Sequence, residues 1–207
     1  NEQTYNALVQ NSSPMAARIR GGYLLSDNFY GTFHPIPIQG GTLDIPELAV
    51  GRLVESPGDM LATMAAYNTT SSATIEDVLV TGYDFVSDAA TEVSNTLFDG
   101  GATVATLIND TWSAQTLRPL LLDESHDLVS LNGHFNHRLL VAADNATSLE
   151  SSEILDAAAT YTNTLVLSIG CQSGLNVPDP DAIGGNTSLA LDFAQVFLQR
   201  GATFVGN

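Results

Sequence analysis

Two segments of the chain end in residues that could do nucleophilic chemistry together. Residues 128–133, Leu-Val-Ser-Leu-Asn-Gly, run into His134, and residues 165–170, Leu-Val-Leu-Ser-Ile-Gly, run into Cys171. Each is a short apolar run of strand type, then a glycine, then a reactive side chain. A free thiol is mostly protonated at neutral pH. An imidazole beside it shifts the balance toward the thiolate and can then hand the proton to a leaving group. Adjacent strands lie about 4.8 Å apart, so the two side chains emerge side by side if these strands are neighbours. The glycines are expected to permit a sharp turn and close approach of a substrate backbone. A single Cys taken alone reads as a small buried hydrophobe, and a loop His as a solvated one. The matched form of the two segments is what favours chemistry.

The elements that must position these residues follow an alternating plan. Residues 77–81, 102–108, 127–131, 164–169 and 202–205 read as strands, mostly apolar on both faces, as buried parallel strands are. Between them, residues 87–98, 114–122, 149–161 and 188–199 place apolar side chains three and four apart, which predicts amphipathic helices. This alternation predicts an α/β fold with a mostly parallel sheet, helices on both faces and right-handed crossovers. The first 55 residues are less regular. Residues 21–25 and 48–53 look like strands, and residues 28–41, with Pro35, Pro37 and a Gly-Gly pair, predict a loop or an irregular hairpin.

Composition bounds the function. The 207 residues carry a net charge of −17, and all six cations are Arg, with no Lys. A polyanion gains affinity from cationic contacts that this surface lacks, so nucleic acid is excluded as an electrostatic partner, and anionic membrane surfaces likewise. No apolar run approaches the roughly 18 residues of a membrane span, so no membrane insertion is expected in this segment. The acidic, Lys-free composition points to an extracellular or cell-surface protein, where high net charge maintains solubility. Residues 1–207 are expected to form one domain, a piece of a longer chain whose other domains would be its partners. The single Cys171 cannot form an internal disulfide.

Other constellations are weaker. His134 and His137 form His-x-x-His, which with Cys171 could ligate zinc, but a fourth ligand is not evident and His126 belongs at the far end of its strand. Asp179-Pro-Asp181 matches only part of a calcium loop and reads as a turn. The chain has no dinucleotide or phosphate-binding glycine loop.

Two apolar blocks, the first ending in His and the second in Cys, resemble those of the caspase-like clan of cysteine peptidases, and within it the gingipain-type family. Tyr23-Leu-Leu-Ser-Asp-Asn-Phe-Tyr-Gly31 is similar to that family's entry segment, and Glu47-Leu-Ala-Val-Gly-Arg52 to its acidic-apolar-Gly-Arg strand. Residues 58–67, 80–90 and 197–205 extend the likeness over most of the chain. The resemblance implies a three-layer α/β/α fold and hydrolysis of polypeptides, often after basic residues. It implies Cys171 as nucleophile, His134 as general acid/base and Glu47 as the group that orients the imidazole. Backbone N–H groups around Gly133, Phe135, Gly170 and Cys171 itself would hold the oxyanion. Phe135 stands where the family usually has Gly after the His, and a backbone N–H survives that change. His137 is the second candidate for the base. No cofactor is implied; structural calcium is allowed by the resemblance but not located. The alternative reading is a catalytically inactive caspase-like domain serving as a binding or scaffolding module of a large surface protein.

Overall fold

The computed structural model describes residues 27–38, 41–48, 50–53, 56–69, 74–177 and 191–206. The chain divides into two compact units, Asn1–Leu53 and Val54–Asn207. In the first, a helical turn α1 (Asn28–Gly31) is followed by an antiparallel hairpin, β1 (Ile36–Ile38) and β2 (Gly41–Leu43). The hairpin lies in the irregular stretch expected from Pro35 and Pro37. The described residues of 48–53 form no strand, while the strand expected at 21–25 lies outside the described residues. Arg52 closes a bidentate pair on Asp27, with Nε 2.7 Å from Oδ2 and Nη2 2.8 Å from Oδ1.

The second unit is α/β and contains a five-stranded parallel sheet flanked by helices. Its strands are β3 (Asp77–Gly82), β4 (Thr103–Ile108), β5 (Leu128–Ser130), β9 (Leu165–Leu167) and β10 (Thr203–Val205), in the order β10-β9-β5-β3-β4. After its first residue, β3 is buried throughout, which explains its unbroken apolar reading. Val78 and Val80 enter one core with Ala90, Ala102 and Leu128, beneath the helix α3 (Ser87–Asp99). Leu79 enters the other with Val129, Val166, Leu117 of α4 (Ala114–Arg118), and Phe193 and Phe197 of α5 (Phe193–Gln199). Period-two alternation along the strands thus gives each face its own core. A helix α2 (Pro57–Thr69) precedes β3 and covers residues 58–67.

Two expectations are corrected. The helix predicted over 149–161 does not form. Ser148–Glu150 is instead β8, the outer strand of a three-stranded antiparallel sheet with β6 (His134–Asn136) and β7 (Leu139–Val141), and a 3-10 turn follows at Ser151–Ile154. The carbonyls left without helical partners are taken up by one cation: the Arg200 guanidinium donates to Leu155, Ala157 and Ala159 at 2.8–3.0 Å. Likewise, the helix predicted over 114–122 stops at Arg118, and Pro119–Asp123 forms a π-helical turn, Pro119 lacking the amide that would continue the α pattern. The helix expected over 188–199 is described from Phe193, capped by the Asp192 carboxylate on the Gln195 N–H.

Candidate active site

β5 and β9 are parallel neighbours in register, Leu128 beside Leu165 and Ser130 beside Leu167. His134 and Cys171 therefore stand at the same offset, four residues past a paired position, on adjoining strands. The crossover from β3 leads to β4 on one side, and the chain then returns to the other side of β3 as β5. The carboxyl ends of β3 and β5 thus flank the point where strand order reverses, the place where open parallel sheets form their ligand crevice.

The end of β5 is anchored to that of β3. Asn132 is buried, and its amide donates to the Thr81 carbonyl (3.0 Å) and the Ser130 hydroxyl (2.8 Å), while its backbone N–H meets the Thr81 hydroxyl. Gly133 follows, and a Cβ there would come within 2.5 Å of the Tyr83 ring. Its glycine is required by space, since neither Gly133 nor Gly170 has a positive φ. The Tyr83 hydroxyl accepts the His134 N–H at 3.0 Å and donates to the Val141 carbonyl at 2.6 Å. Burial pushes the Tyr83 phenol up, which keeps its proton available for that second bond.

The His134 ring is half exposed. Its Nε2 lies 3.3 Å from Asp84 Oδ2, and the ring lies against a tilted Phe85 (centroids 5.3 Å apart) and, in an edge-to-face contact, against Tyr83 (5.6 Å). Asp84 sits two residues past β3 in the left-handed region, φ 52°. Its N–H donates to Asp110 Oδ1 at 2.9 Å, and its carbonyl accepts from the Ser87 hydroxyl at the start of α3. Asp84, Tyr83 and Phe85 were not among the residues picked from sequence. Yet the rule that singled out His134, reading the residues just past each strand, would have found them at the end of β3.

Cys171 is exposed and opens a turn over 171–174. Gln172, next to it, is also left-handed at φ 61°, and its Oε1 is buried with no hydrogen-bond partner. Residues with this backbone and without glycine's freedom carry a cost of roughly 1–2 kcal/mol. The preceding Gly170 is tightly enclosed: a Cβ there would lie 2.1 Å from a Phe135 ring carbon and 2.9 Å from the Gly133 carbonyl oxygen. The loop that carries the thiol is therefore packed directly on the one that carries the imidazole. The Gly170 N–H is turned toward the Ser168 hydroxyl (3.3 Å). Phe135 is buried, edge-on to Phe193.

The remaining candidates have other partners. Glu47 belongs to the first unit, where its carboxylate meets His34 Nδ1 at 2.8 Å. His137 is 1% exposed, in contrast to half-exposed His134, and its Nδ1 has no partner. Burial pushes its imidazole down to about 4, and the Arg138 charge adds to this. His126 sits before β5, at the amino end of the sheet, between Asp77 Oδ1 and the Leu120 carbonyl. Among the described residues, no three His, Cys, Asp or Glu side chains converge as a metal site. Asp179 and Asp181 lie outside the described residues. No described helix is long and apolar enough to cross a membrane. No protein-family model, no curated protein and no solved structure matches this chain.

Proposed function

We propose that the chain is a cysteine-type endopeptidase domain of caspase-like architecture that acts outside the cell or at its surface. The observation that carries this reading is the registered pairing of β5 with β9, which supports an imidazole and an exposed thiol leaving adjoining strand ends at one crevice. Direct packing of Gly170 on Phe135 and Gly133 supports the same juxtaposition.

In the reaction, Cys171 Sγ attacks the scissile carbonyl carbon as its proton passes to His134. Backbone N–H groups at the turn that begins with Cys171 hold the oxyanion; one such donor contributes roughly 3 kcal/mol of barrier lowering. Collapse of the tetrahedral intermediate breaks the C–N bond, and the imidazolium protonates the departing amine. Water, deprotonated by the same imidazole, then cleaves the thioester and restores the thiol. The resemblance assigns the orientation of His134 to Glu47. Asp84 and Asp110, both exposed at the strand ends, make the crevice acidic, which suits polypeptides with basic residues.

Replacing Cys171 with Ala tests the mechanism. Hydrolysis of peptide substrates should vanish while thermal unfolding stays nearly unchanged, because an exposed thiol adds little to the core. Equal activity in Cys171→Ala would refute the assignment. If the wild-type chain cleaves nothing and its thiol resists electrophiles at mildly acidic pH, the domain is an inactive binding module instead.

A further inference from the structure

We infer that Asp84 is a positioning residue for His134, holding the imidazole in the tautomer that can take the thiol proton. The inference rests on the peptidase reading for its consequence in catalysis, although the contact itself does not. A carboxylate accepts hydrogen bonds only, so its contact with Nε2 fixes the proton on that nitrogen and leaves Nδ1 as the bare acceptor. Once the ring has gained the thiol proton, the same carboxylate faces the imidazolium.

An isolated surface pair of this kind would mean little, since exposed ion pairs contribute about 0–1 kcal/mol. Here both partners are held by the scaffold. Asp84 occupies a left-handed backbone state that few side chains other than Asn and Asp tolerate. That state is fixed on one side by Asp110, which takes its N–H, and on the other by Ser87, which caps its carbonyl as α3 begins. His134 is held from the end of β3: its backbone N–H donates to the Tyr83 hydroxyl, and its ring lies against the Tyr83 ring, in an edge-to-face contact, and the tilted Phe85 ring. Asp84 is thus delivered to His134 from the neighbouring strand at the reversal of strand order, as Cys171 is delivered from the other side.

The discriminating variant is Asp84→Asn. Asn retains the left-handed preference, so the turn persists, while its amide can donate as well as accept and no longer dictates the tautomer. In the full 207-residue chain, kcat for peptide hydrolysis should fall about ten-fold or more, with KM and the unfolding midpoint essentially unchanged. Asp84→Gly, which also tolerates the backbone state, should show the same loss. Nitrogen-15 spectra of the His134 ring supply a readout independent of catalysis: a protonated Nε2 in the wild type, and a mixed population in Asp84→Asn. A wild-type rate together with an unchanged tautomer in that variant overturns the inference. So does a loss of kcat confined to Glu47→Gln, which would assign the role to that residue. Should the wild type prove inactive toward peptides, the peptidase reading fails, and the ring spectra alone decide whether Asp84 sets the tautomer.

Discussion

The Phe135 ring fills the space that a side chain at Gly170 would need, with Cδ2 only 2.1 Å from where a Cβ would stand. This relationship explains why residues 135 and 170 are as they are. The aromatic that follows His134 points into the core against Phe193, and the glycine that precedes Cys171 lets the second loop close over it. The two reactive loops are therefore mechanically joined through non-reactive residues.

Gly170→Ala should accordingly separate the thiol from the imidazole. The added methyl collides with a core ring and with the Gly133 carbonyl, and neither yields freely, so destabilisation of about 1–3 kcal/mol is expected. Denaturant titration measures the cost, and peptide hydrolysis should fall more steeply than stability does. Adding Phe135→Ala removes the first collision, so the double variant should be less destabilised than the sum of the singles by about 1 kcal/mol. Strict additivity would mean the two residues do not share that space.

Gln172 stores strain beside the nucleophile. Its left-handed backbone and its unpartnered, buried Oε1 are both unfavourable, and such features gather at functional turns. Gln172→Gly relieves the backbone cost and removes the orphaned carbonyl, offset by the greater freedom of glycine in the unfolded chain. A net gain of about 1 kcal/mol is expected, or roughly 2–4 °C in the unfolding midpoint for a chain of this size. Cys171 should then be held less firmly and alkylate or hydrolyse more slowly. A lower melting temperature would show that Gln172 contributes to the turn rather than being tolerated by it.

What could be read from the residues, and what could not, has a physical pattern. The five parallel strands were legible as short apolar runs, and most plainly in β3 and β5, where burial on both faces leaves the run unbroken, as in Val78 to Val80. Their matched exits at His134 and Cys171 were legible because parallel register conserves offset. Residues 149–161 misled because their apolar side chains, Ile154, Ala157 and Tyr161 among them, are buried at helix-like spacing. Their carbonyls, however, are satisfied by Arg200 from 41–45 positions away, a long-range bond no local pattern records. The small antiparallel sheet was missed for a related reason: three-residue strands such as His134–Asn136 are too short to display a period. Asp84 escaped notice because, one carboxylate among 23 acidic residues, it stands out only when the end of β3 is read in the same way as the ends of β5 and β9.

His137 makes a prediction about pH. Its imidazole is buried with Nδ1 unpartnered and is held at about 4, whereas in the unfolded chain it titrates near 6.5. Above 6.5 both states are neutral there and the residue contributes no pH dependence. As pH falls from 6.5 toward 4 the unfolded state binds a proton that the folded state refuses, so stability declines over that window. Below 4 both states are protonated and the decline from this group stops. The full loss is on the order of 3 kcal/mol. The carboxylates held below their usual range by hydrogen bonds, Asp127 and Asp144 through backbone amides, likewise resist protonation in the folded state and lose stability as pH falls, mainly lower on the scale. Chemical denaturation of the wild type and of His137→Leu from pH 7.5 to 4 separates the two effects. The stability difference should shift in favour of the Leu variant by about 3 kcal/mol across that range. Parallel curves would show that His137 gains a proton in the folded chain as readily as in the unfolded one, with a partner for Nδ1 that the fold does not display.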